Sequence, residues 1–224
     1  MGTTQHPIVI AIDGTSASGK STNSKLVAAA LGYVYVDTGA MYRTLAWHAL
    51  RQRVDPHDPK AVAALCRKWK TTLQSQDHQV ILRVDGYYPE KEIRTAEVSA
   101  AVPHVAAVPA VRRWMKAAQR SCVKFGNLVM EGRDIGTNVF PETNFKFYLD
   151  ATLQERTQRR AAEGVRENLA ARDQRDSERA VAPLMIALGA TVINNSRMTA
   201  DETTALILEA VGPKLARLPS RPHP

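Results

Sequence analysis

The sequence predicts an α/β fold, with a parallel sheet covered by helices on both faces, from three features near its start. The run "PIVIAID" (7–13) is short, apolar and β-branched, which is typical of a buried strand. A segment of helical spacing begins at Lys20 and stops at Gly32. "YVYVD" (33–37) predicts a second strand, and another helical segment follows it. This alternation of strands and helices favours a parallel sheet.

The middle of the chain breaks this alternation, so residues from roughly 55 to 100 are interpreted as an insertion into the α/β core. A helix is predicted at 58–72. Residues 78–90 alternate around the turn signal "DG", which predicts a hairpin. Residues 92–126 predict helices that are interrupted by two prolines.

The core pattern returns after the insertion. Strands are predicted at 127–132 and 145–150, and arginine-rich helices follow them. "ATVINNS" predicts a last strand, and the chain then closes with an amphipathic helix for which Thr199 is the expected N-cap.

The charge of the protein favours phosphorylated small molecules over nucleic acid as partners. The 224 residues carry a formal net charge of +8, and seven arginines lie between Arg156 and Arg179. Asp and Glu are interleaved with these arginines, and aromatic residues make up only 6% of the chain, which argues against a stacking platform for single strands. The pattern is better suited to a few phosphates held at defined points.

The cysteines and the N-terminal sequence predict a cytoplasmic protein. Cys66 and Cys122 both fall in helical segments and are interpreted as reduced thiols. The first residues lack the pattern of a secretory signal, and no window approaches eighteen apolar residues. We therefore expect no membrane partner.

The stretch "GTSASGKST" (14–22) matches the phosphate-binding pattern G-x-x-x-x-G-K-[ST] between a predicted strand and a predicted helix. Glycines let the backbone wrap a polyphosphate, and the following helix directs its positive end at the anion. Lys20 would supply a charge near the β and γ phosphates, and either Ser21 or Thr22 could reach Mg²⁺. The loop comprises Gly14, Thr15, Ser16, Ala17, Ser18, Gly19, Lys20, Ser21 and Thr22.

The acceptor site is predicted at the ends of two other strands. Arg43 follows the strand that ends at Asp37, and the adjacent Arg133 and Asp134 follow the "LVM" strand with glycines on both sides. Ligands of open α/β sheets bind outside the carboxyl ends of the strands. These side chains should therefore lie at the same edge of the sheet as the phosphate loop.

A third group of charges lies on the predicted helix within 171–184. Arg172, Asp176 and Arg179 share one helix face by their spacing. Taken alone, this face is better explained by exposed ion pairs that contribute little to stability.

Five segments resemble the bacterial cytidylate (CMP) kinases in order and spacing: "IAIDGTSASGKST", "DTGAMYR", "EIRTAEV", "EGRDIGTNVFP" and "RDQRDSERAVAPL". The last two are specific to that family. The resemblance implies an α/β P-loop three-layer fold with a central parallel five-stranded sheet, an inserted CMP-binding subdomain with a small antiparallel sheet, and a short helical lid. It implies a single kinase domain with its core at about 7–54 and 108–218, the insertion at about 55–107, the lid at about 156–176 and a tail at 219–224.

The resemblance also implies roles for individual residues. Gly14 to Thr22 would bind the phosphates of ATP, and Arg156, Arg159 and Arg160 would close over them from the lid. The residues implied to bind CMP are Thr38, Arg43, Arg112, Arg133, Asp134, Arg172, Asp176 and Arg179. Those implied to act in catalysis are Lys20, Arg133, Arg159 and Arg179.

Within the implied CMP site, the phosphate would be held by Arg43 and Arg133 together with Arg179. Arg112 and Asp134 would read the cytosine edge. The ribose would be bound by Arg172 and Asp176, which replaces the interpretation of that helix as a merely charged surface.

The implied activity is ATP-dependent phosphorylation of CMP and dCMP in pyrimidine nucleotide metabolism, with Mg²⁺, by a monomer. Pro103 stands where the family often has a serine that touches the base, so UMP or another acceptor remains an alternative. A non-catalytic P-loop protein that binds nucleotides or nucleic acid is a second alternative. Thr15 in the loop, and a short segment between Arg160 and Arg172, also depart from the family pattern.

Overall fold

A mixed sheet with helices on both faces forms the centre of the protein. The computed structural model describes residues 7–162, 164, 168–179 and 181–217. The strands are β1 (Val9–Gly14), β2 (Val34–Asp37), β3 (Thr71–Gln76), β4 (Gln79–Val84), β5 (Leu128–Glu131), β6 (Phe145–Asp150) and β7 (Thr191–Asn194). The α-helices are α1 (Lys20–Leu31), α2 (Thr38–Arg51), α3 (Pro59–Lys68), α4 (Ala96–Ala107), α5 (Pro109–Ser121), α6 (Leu153–Ala162), α7 (Leu169–Ser177) and α8 (Ala200–Ala216).

Over the described residues the sheet has seven strands, where five were expected. Their order is β3-β4-β2-β5-β1-β6-β7, and the five strands from β2 to β7 in this order are parallel to their neighbours. The extra two strands form a hairpin that was expected as a separate small sheet. It joins the main sheet because β4 pairs with β2 at Tyr35–Gln79 and Val36–Val80.

The hairpin begins earlier than its predicted position. Its turn is at Asp77 and His78, with φ of 49° and 57°, which is the primed geometry that joins two twisted strands. The helix predicted to run to residue 72 therefore ends at Lys68. The expected turn at Asp85–Gly86 does form, but it closes only a single bridge between Val84 and Tyr87.

Each face of the sheet carries its own apolar core. Ile10 and Ile12 of β1 face the core that α1 and α8 cover, whereas Val9 and Ala11 face the core that α2 to α5 cover. All of β1 is buried, as expected for a central parallel strand. The three-layer arrangement is thus built from alternate side chains of the same strands.

The two prolines of the middle segment behave differently. Pro109 occupies the first turn of α5, where a missing N–H costs nothing. Pro103 lies inside α4, although a helix break was predicted there. The burial of Val98, Ala101 and Val105 on this helix explains how it continues past a residue that disfavours helix.

The start of α8 confirms the predicted N-cap. Thr199 accepts from the backbone of Glu202, and the Glu202 carboxylate accepts from the backbone N–H of Thr199 at 2.8 Å. This reciprocal pair satisfies two free N–H groups of the helix end. Within the described part of the chain, no helix combines the length and apolar character needed to cross a bilayer.

The strand register brings three chain segments to one edge. Ile12 of β1 pairs with Glu131 of β5, and Glu131 pairs with Asp37 of β2. The carboxyl ends of these strands are therefore level, and the loops that leave them open onto the same region.

Candidate functional site

A cleft of about 180 Å³ opens where the carboxyl ends of β1, β2 and β5 meet. The predicted site residues in its walls are Ser16, Ala17, Lys20, Ser21, Thr38, Arg43, Arg112, Arg133, Asp134, Arg160, Arg172, Asp176 and Arg179. Gly14, Thr15, Ser18, Gly19, Thr22, Arg156 and Arg159 are described but do not form part of these walls. The structure thus brings together the loop and most of the acceptor residues that the sequence predicted.

The phosphate loop requires glycine at both of its ends. Gly14 has φ of 150°, and a Cβ there would lie 2.0 Å from the carbonyl oxygen of Leu149, so only glycine lets β1 pass β6 so closely. Gly19 has φ of 83° and forms the N-cap of α1. The helix therefore begins at the loop with its free N–H groups directed at the cleft.

Lys20 is folded back onto the loop. Its ammonium donates to the Thr15 carbonyl and, at 3.4 Å, to Ser18 Oγ, and the residue is only 6% exposed. Burial, together with the positive charge of Arg133, lowers the pKa of Lys20 well below its usual value. A bound anion beside this ammonium would stabilise its charged form and so act against both effects.

Glu131, at the end of β5, is a buried carboxylate beside the loop. Ser21 Oγ donates to its Oε2 at 3.0 Å, and the Tyr35 hydroxyl donates to its Oε1. Burial raises the pKa of Glu131, and the charge of Asp37 adds to this. A serine hydroxyl next to a carboxylate provides the hard oxygen ligands that Mg²⁺ prefers.

Asp37 holds two arginines at the second strand end. Arg43 and Arg94 donate to its Oδ2 at 3.1 and 3.2 Å. Burial alone would raise the pKa of Asp37, but the two guanidinium groups outweigh it and lower that pKa. Arg43 Nε is buried and has no hydrogen-bond partner among the described residues, so a donor remains for a ligand.

Asp176 holds two further arginines from the opposite wall. Arg133 Nε donates to its Oδ2 at 3.0 Å, and Arg179 donates to its Oδ1. Arg133 Nη2 also donates to Ser16 Oγ of the phosphate loop at 2.8 Å. Arg133 thus lies at the junction between the loop and the acceptor arginines. Arg179 lies beyond Ser177, the last residue of α7, but its guanidinium still donates to Asp176.

Arg112 and Asp134 form a buried ion pair deeper in the cleft. Arg112 Nη2 donates to Asp134 Oδ2 at 2.7 Å, and Arg112 is 4% exposed. Its Nε is buried without a partner among the described residues. Tyr42 lies below the guanidinium, which is 5.9 Å from the ring centre. This pair offers both a donor and an acceptor to a flat polar group.

The helices α6 and α7 contact the loop from its other side. Asp173 on α7 accepts from the Ser16 backbone N–H at 2.9 Å and also from Arg156 on α6. Arg159 donates to the carbonyl and the side chain of Asn195 at 2.8 and 3.1 Å. Arg156 and Arg159 therefore support the loop in this structure. Residues 163 and 165–167 of the expected lid, and the expected tail at 219–224, lie outside the described residues.

Sequence reasoning assigned no role to several charged residues of this region: Asp13, Arg94, Glu131 and Asp173. Each stands within or beside a motif that was recognised, so its position in the chain was a usable signal. Their partners could not be read from the sequence, because the bonds join residues up to 157 positions apart.

Asp13 ties β1 to the turn that carries Asp134. Its carboxylate accepts from the backbone N–H groups of Ile135 and Gly136 at 2.8 and 2.7 Å. Burial nevertheless raises the pKa of Asp13 from 3.8 to about 6. A carboxyl group whose pKa is higher in the folded than in the unfolded protein stabilises the fold in its protonated form. This contribution is complete below the unfolded pKa and is lost as the pH rises through the folded pKa.

We therefore expect the wild type to lose stability relative to Asp13→Asn between pH 4 and pH 7. Over this interval the difference between their free energies of unfolding should change by about 2 kcal/mol, at 1.36 kcal/mol for each pKa unit. Urea unfolding at four pH values measures it. Parallel pH profiles for the two proteins would contradict the assignment to Asp13.

A phosphate loop between a parallel strand and a helix, facing a cleft lined by arginines, is typical of the small P-loop kinases. A family model described as cytidylate kinase matches residues 10–212. The chain therefore belongs to the cytidylate kinase family.

Curated relatives agree with this assignment over nearly their whole length. The cytidylate kinase of Geobacillus sp. (strain WCH70) is 41% identical over 219 residues, which cover 93% of this chain and 98% of the relative. That of Geobacillus thermodenitrificans (strain NG80-2) is 42% identical over the same shares. That of Shouchella clausii (strain KSM-K16) is 39% identical over 90% of this chain and 95% of the relative.

Proposed function

We propose that this protein transfers the γ-phosphoryl group of ATP to CMP and dCMP, and so forms CDP and dCDP in pyrimidine nucleotide metabolism. The observation that carries the proposal is the single cleft in which the phosphate loop faces the arginines of Asp37 and Asp176 and the Arg112–Asp134 pair. One anion cradle and one set of acceptor groups suit a donor and an acceptor nucleotide.

ATP would bind with its β and γ phosphates in the loop from Gly14 to Thr22. The N–H groups at the start of α1 would be their first donors, and Lys20 would turn from its bond with Thr15 towards them. Arg156, Arg159 and Arg160 would complete the donor side from α6. Of these, Arg160 already lines the cleft.

Mg²⁺ would be held at Ser21 and Glu131. Ser21 lines the cleft, whereas Thr22 does not form part of its walls, so Ser21 is the better candidate of the two hydroxyls. The bond between Ser21 Oγ and the Glu131 carboxylate supports this choice. When bound, the cation would neutralise charge on the phosphates.

CMP would bind on the acceptor side. Arg43, Arg133 and Arg179 would hold its phosphate, with Thr38 at the start of α2 nearby. Arg172 and Asp176 would bind the ribose, while Arg112 and Asp134 would bind the cytosine edge.

Transfer would need no general base, because the attacking phosphate oxygen is already anionic at pH 7. The protein would contribute in-line positioning and charge neutralisation by Lys20, Arg133, Arg159 and Arg179. Arg133 is the side chain best placed for this, since it contacts the loop at Ser16 and the acceptor group at Asp176.

We further propose that the segment at about 156–176 acts as a lid that excludes water, since Asp173 and Arg156 link it to the loop. The same proposal includes the division of the chain into a core at about 7–54 and 108–218 and an insertion at about 55–107. The monomeric state belongs to the same proposal. The buried free thiols of Cys66 and Cys122 support a reducing compartment such as the cytoplasm.

A coupled assay for ADP release tests this function. It compares CMP, dCMP, UMP, AMP and shikimate as acceptors at saturating ATP and Mg²⁺, with ATP alone as the blank. We expect CMP and dCMP to give the highest kcat/KM. Release of ADP that does not depend on any acceptor, or a preference for shikimate, would reject the proposal.

Pro103 provides a test of acceptor choice. It lines the cleft and offers neither a hydroxyl nor an N–H. We expect Pro103→Ser to raise the kcat/KM ratio of CMP to UMP about fivefold, since a net hydrogen bond contributes about 1 kcal/mol. Competition kinetics with both substrates measure this ratio. Pro109→Ser is the matched control, and an equal ratio in both variants would exclude a role for position 103.

A further inference from the structure

Asn138 lies next to the Arg112–Asp134 pair, on the π-helical turn Ile135–Val139 that follows β5. Its side-chain Nδ2 donates to Asp134 Oδ2 at 2.9 Å. Arg112 donates to the same oxygen at 2.7 Å. The backbone N–H of Asn138 also donates to the Asp134 carbonyl at 2.9 Å, so the two residues are fixed relative to each other.

Lys116 determines which way the Asn138 amide points. Lys116 Nζ on α5 donates to Asn138 Oδ1 at 3.0 Å. An ammonium can only donate, so the amide oxygen must face Lys116 and the amide NH₂ must face Asp134. Donation therefore runs from Lys116 through Asn138 to Asp134, where it meets the bond that Arg112 donates from the other side.

In this arrangement Arg112 binds only one of the two carboxylate oxygens of Asp134. Arginine and carboxylate readily form two parallel bonds, which would occupy both oxygens of Asp134. With Asn138 and Arg112 both on Oδ2, Oδ1 has no hydrogen-bond partner among the described residues. Arg112 Nε is likewise without one. Asp134, which lines the cleft, thus keeps one carboxylate oxygen as an acceptor without a partner.

We propose that Asn138 is a positioning residue that sets the preference for cytosine over uracil. This rests on the proposed CMP kinase function and deepens it. Cytosine presents an amino donor where uracil presents a carbonyl acceptor, so a free carboxylate oxygen accepts from the first and repels the second. Because Pro103 adds no hydroxyl, the discrimination depends on the orientation of Asp134.

The test compares Asn138→Leu, which keeps the shape of the side chain and removes the amide, with the wild type. We expect KM for CMP to rise about tenfold, at the lower end of the 1–3 kcal/mol that a good base contact is worth. kcat at saturating CMP, KM for ATP and kcat/KM for UMP should stay unchanged. The CMP-to-UMP ratio therefore falls about tenfold as well.

A second variant tests the role of Asn138 if circular dichroism shows that Asn138→Leu does not fold. Lys116→Met removes the donor that orients the amide, and it should lower the CMP-to-UMP ratio in the same direction. Lys124→Met, an exposed lysine just beyond the same helix, is its matched control. An unchanged ratio in the folded variants, or a parallel loss for both substrates, would overturn the role of Asn138.

Activity measurements on the wild type distinguish a failure of this inference from a failure of the proposed function. If it phosphorylates neither pyrimidine monophosphate, the proposed function fails. If it phosphorylates CMP and UMP equally well, phosphoryl transfer stands and the role of Asn138 in discrimination fails.

Discussion

Replacing Lys20 with alanine is expected to lower kcat for transfer to CMP by about two to three orders of magnitude, the cost of removing one preorganised donor from a site of developing charge. The ammonium is buried at the start of α1, where it can follow charge on the transferred phosphoryl group. Steady-state ADP release at saturating ATP and CMP measures the effect.

The matched control is Lys25→Ala on the same helix. Lys25 is exposed and lies over the Tyr35 ring, with its Nζ 5.5 Å from the ring centre. Its removal should leave kcat unchanged. Near-normal turnover by Lys20→Ala, with the fold intact by circular dichroism, would contradict the role of Lys20.

Replacing Arg133 with alanine is expected to raise KM for CMP about ten- to a hundredfold, because a hydrogen bond to a charged group contributes about 1.5–3 kcal/mol. The Kd for ATP should stay close to its original value. Arg133 contacts Ser16 only through that residue's side chain, whereas its Nε lies among the acceptor groups at Asp176. Kinetics with CMP as the varied substrate, and nucleotide titration for ATP, separate the two effects.

The fold should survive this change, because Arg179 still neutralises Asp176. Arg113→Ala provides the control, since Arg113 is an exposed arginine on α5. An unchanged KM for CMP in the Arg133 variant would remove this residue from the acceptor site. An equal loss for ATP and CMP would place it on the loop instead.

The parallel core could be predicted from the sequence because its strands are continuous apolar runs and its helices begin and end at recognisable residues. β1 is buried throughout, and Thr199 caps α8 as its side chain suggested. Such signals are local, so no knowledge of the tertiary structure is required to recognise them.

The hairpin could not be placed in the same way. β3 is polar and mostly exposed, so it lacks the apolar alternation that marks a strand. It forms because β4, which is mostly buried, provides it with a partner. Pro103 is the opposite case, since the local preference against helix is overruled by the packing of α4.

For the site, most of the arginines were predictable, together with the carboxylates Asp134 and Asp176, whereas Arg94 and Asp173 were not. Motifs identified Arg43, Arg133 and Arg179, but the bond from Asp173 to the loop depends on how α7 packs against α6 and the phosphate loop. The proposed role of Asn138 could not be predicted from the sequence either, because it depends on the hydrogen bond from Lys116 on another helix.

The aspartates of the cleft have a consequence for turnover. Asp37 and Asp176 already serve as counter-ions for arginines that line the cleft, so an incoming phosphate would exchange with a carboxylate and would not meet a bare cation. The gain in electrostatic energy is then only the difference between the arginine–phosphate and the arginine–carboxylate interactions. This limits how tightly either nucleotide binds in the ground state. The same aspartates would reclaim their arginines as the diphosphates leave, so product release would be assisted by the protein's own charges.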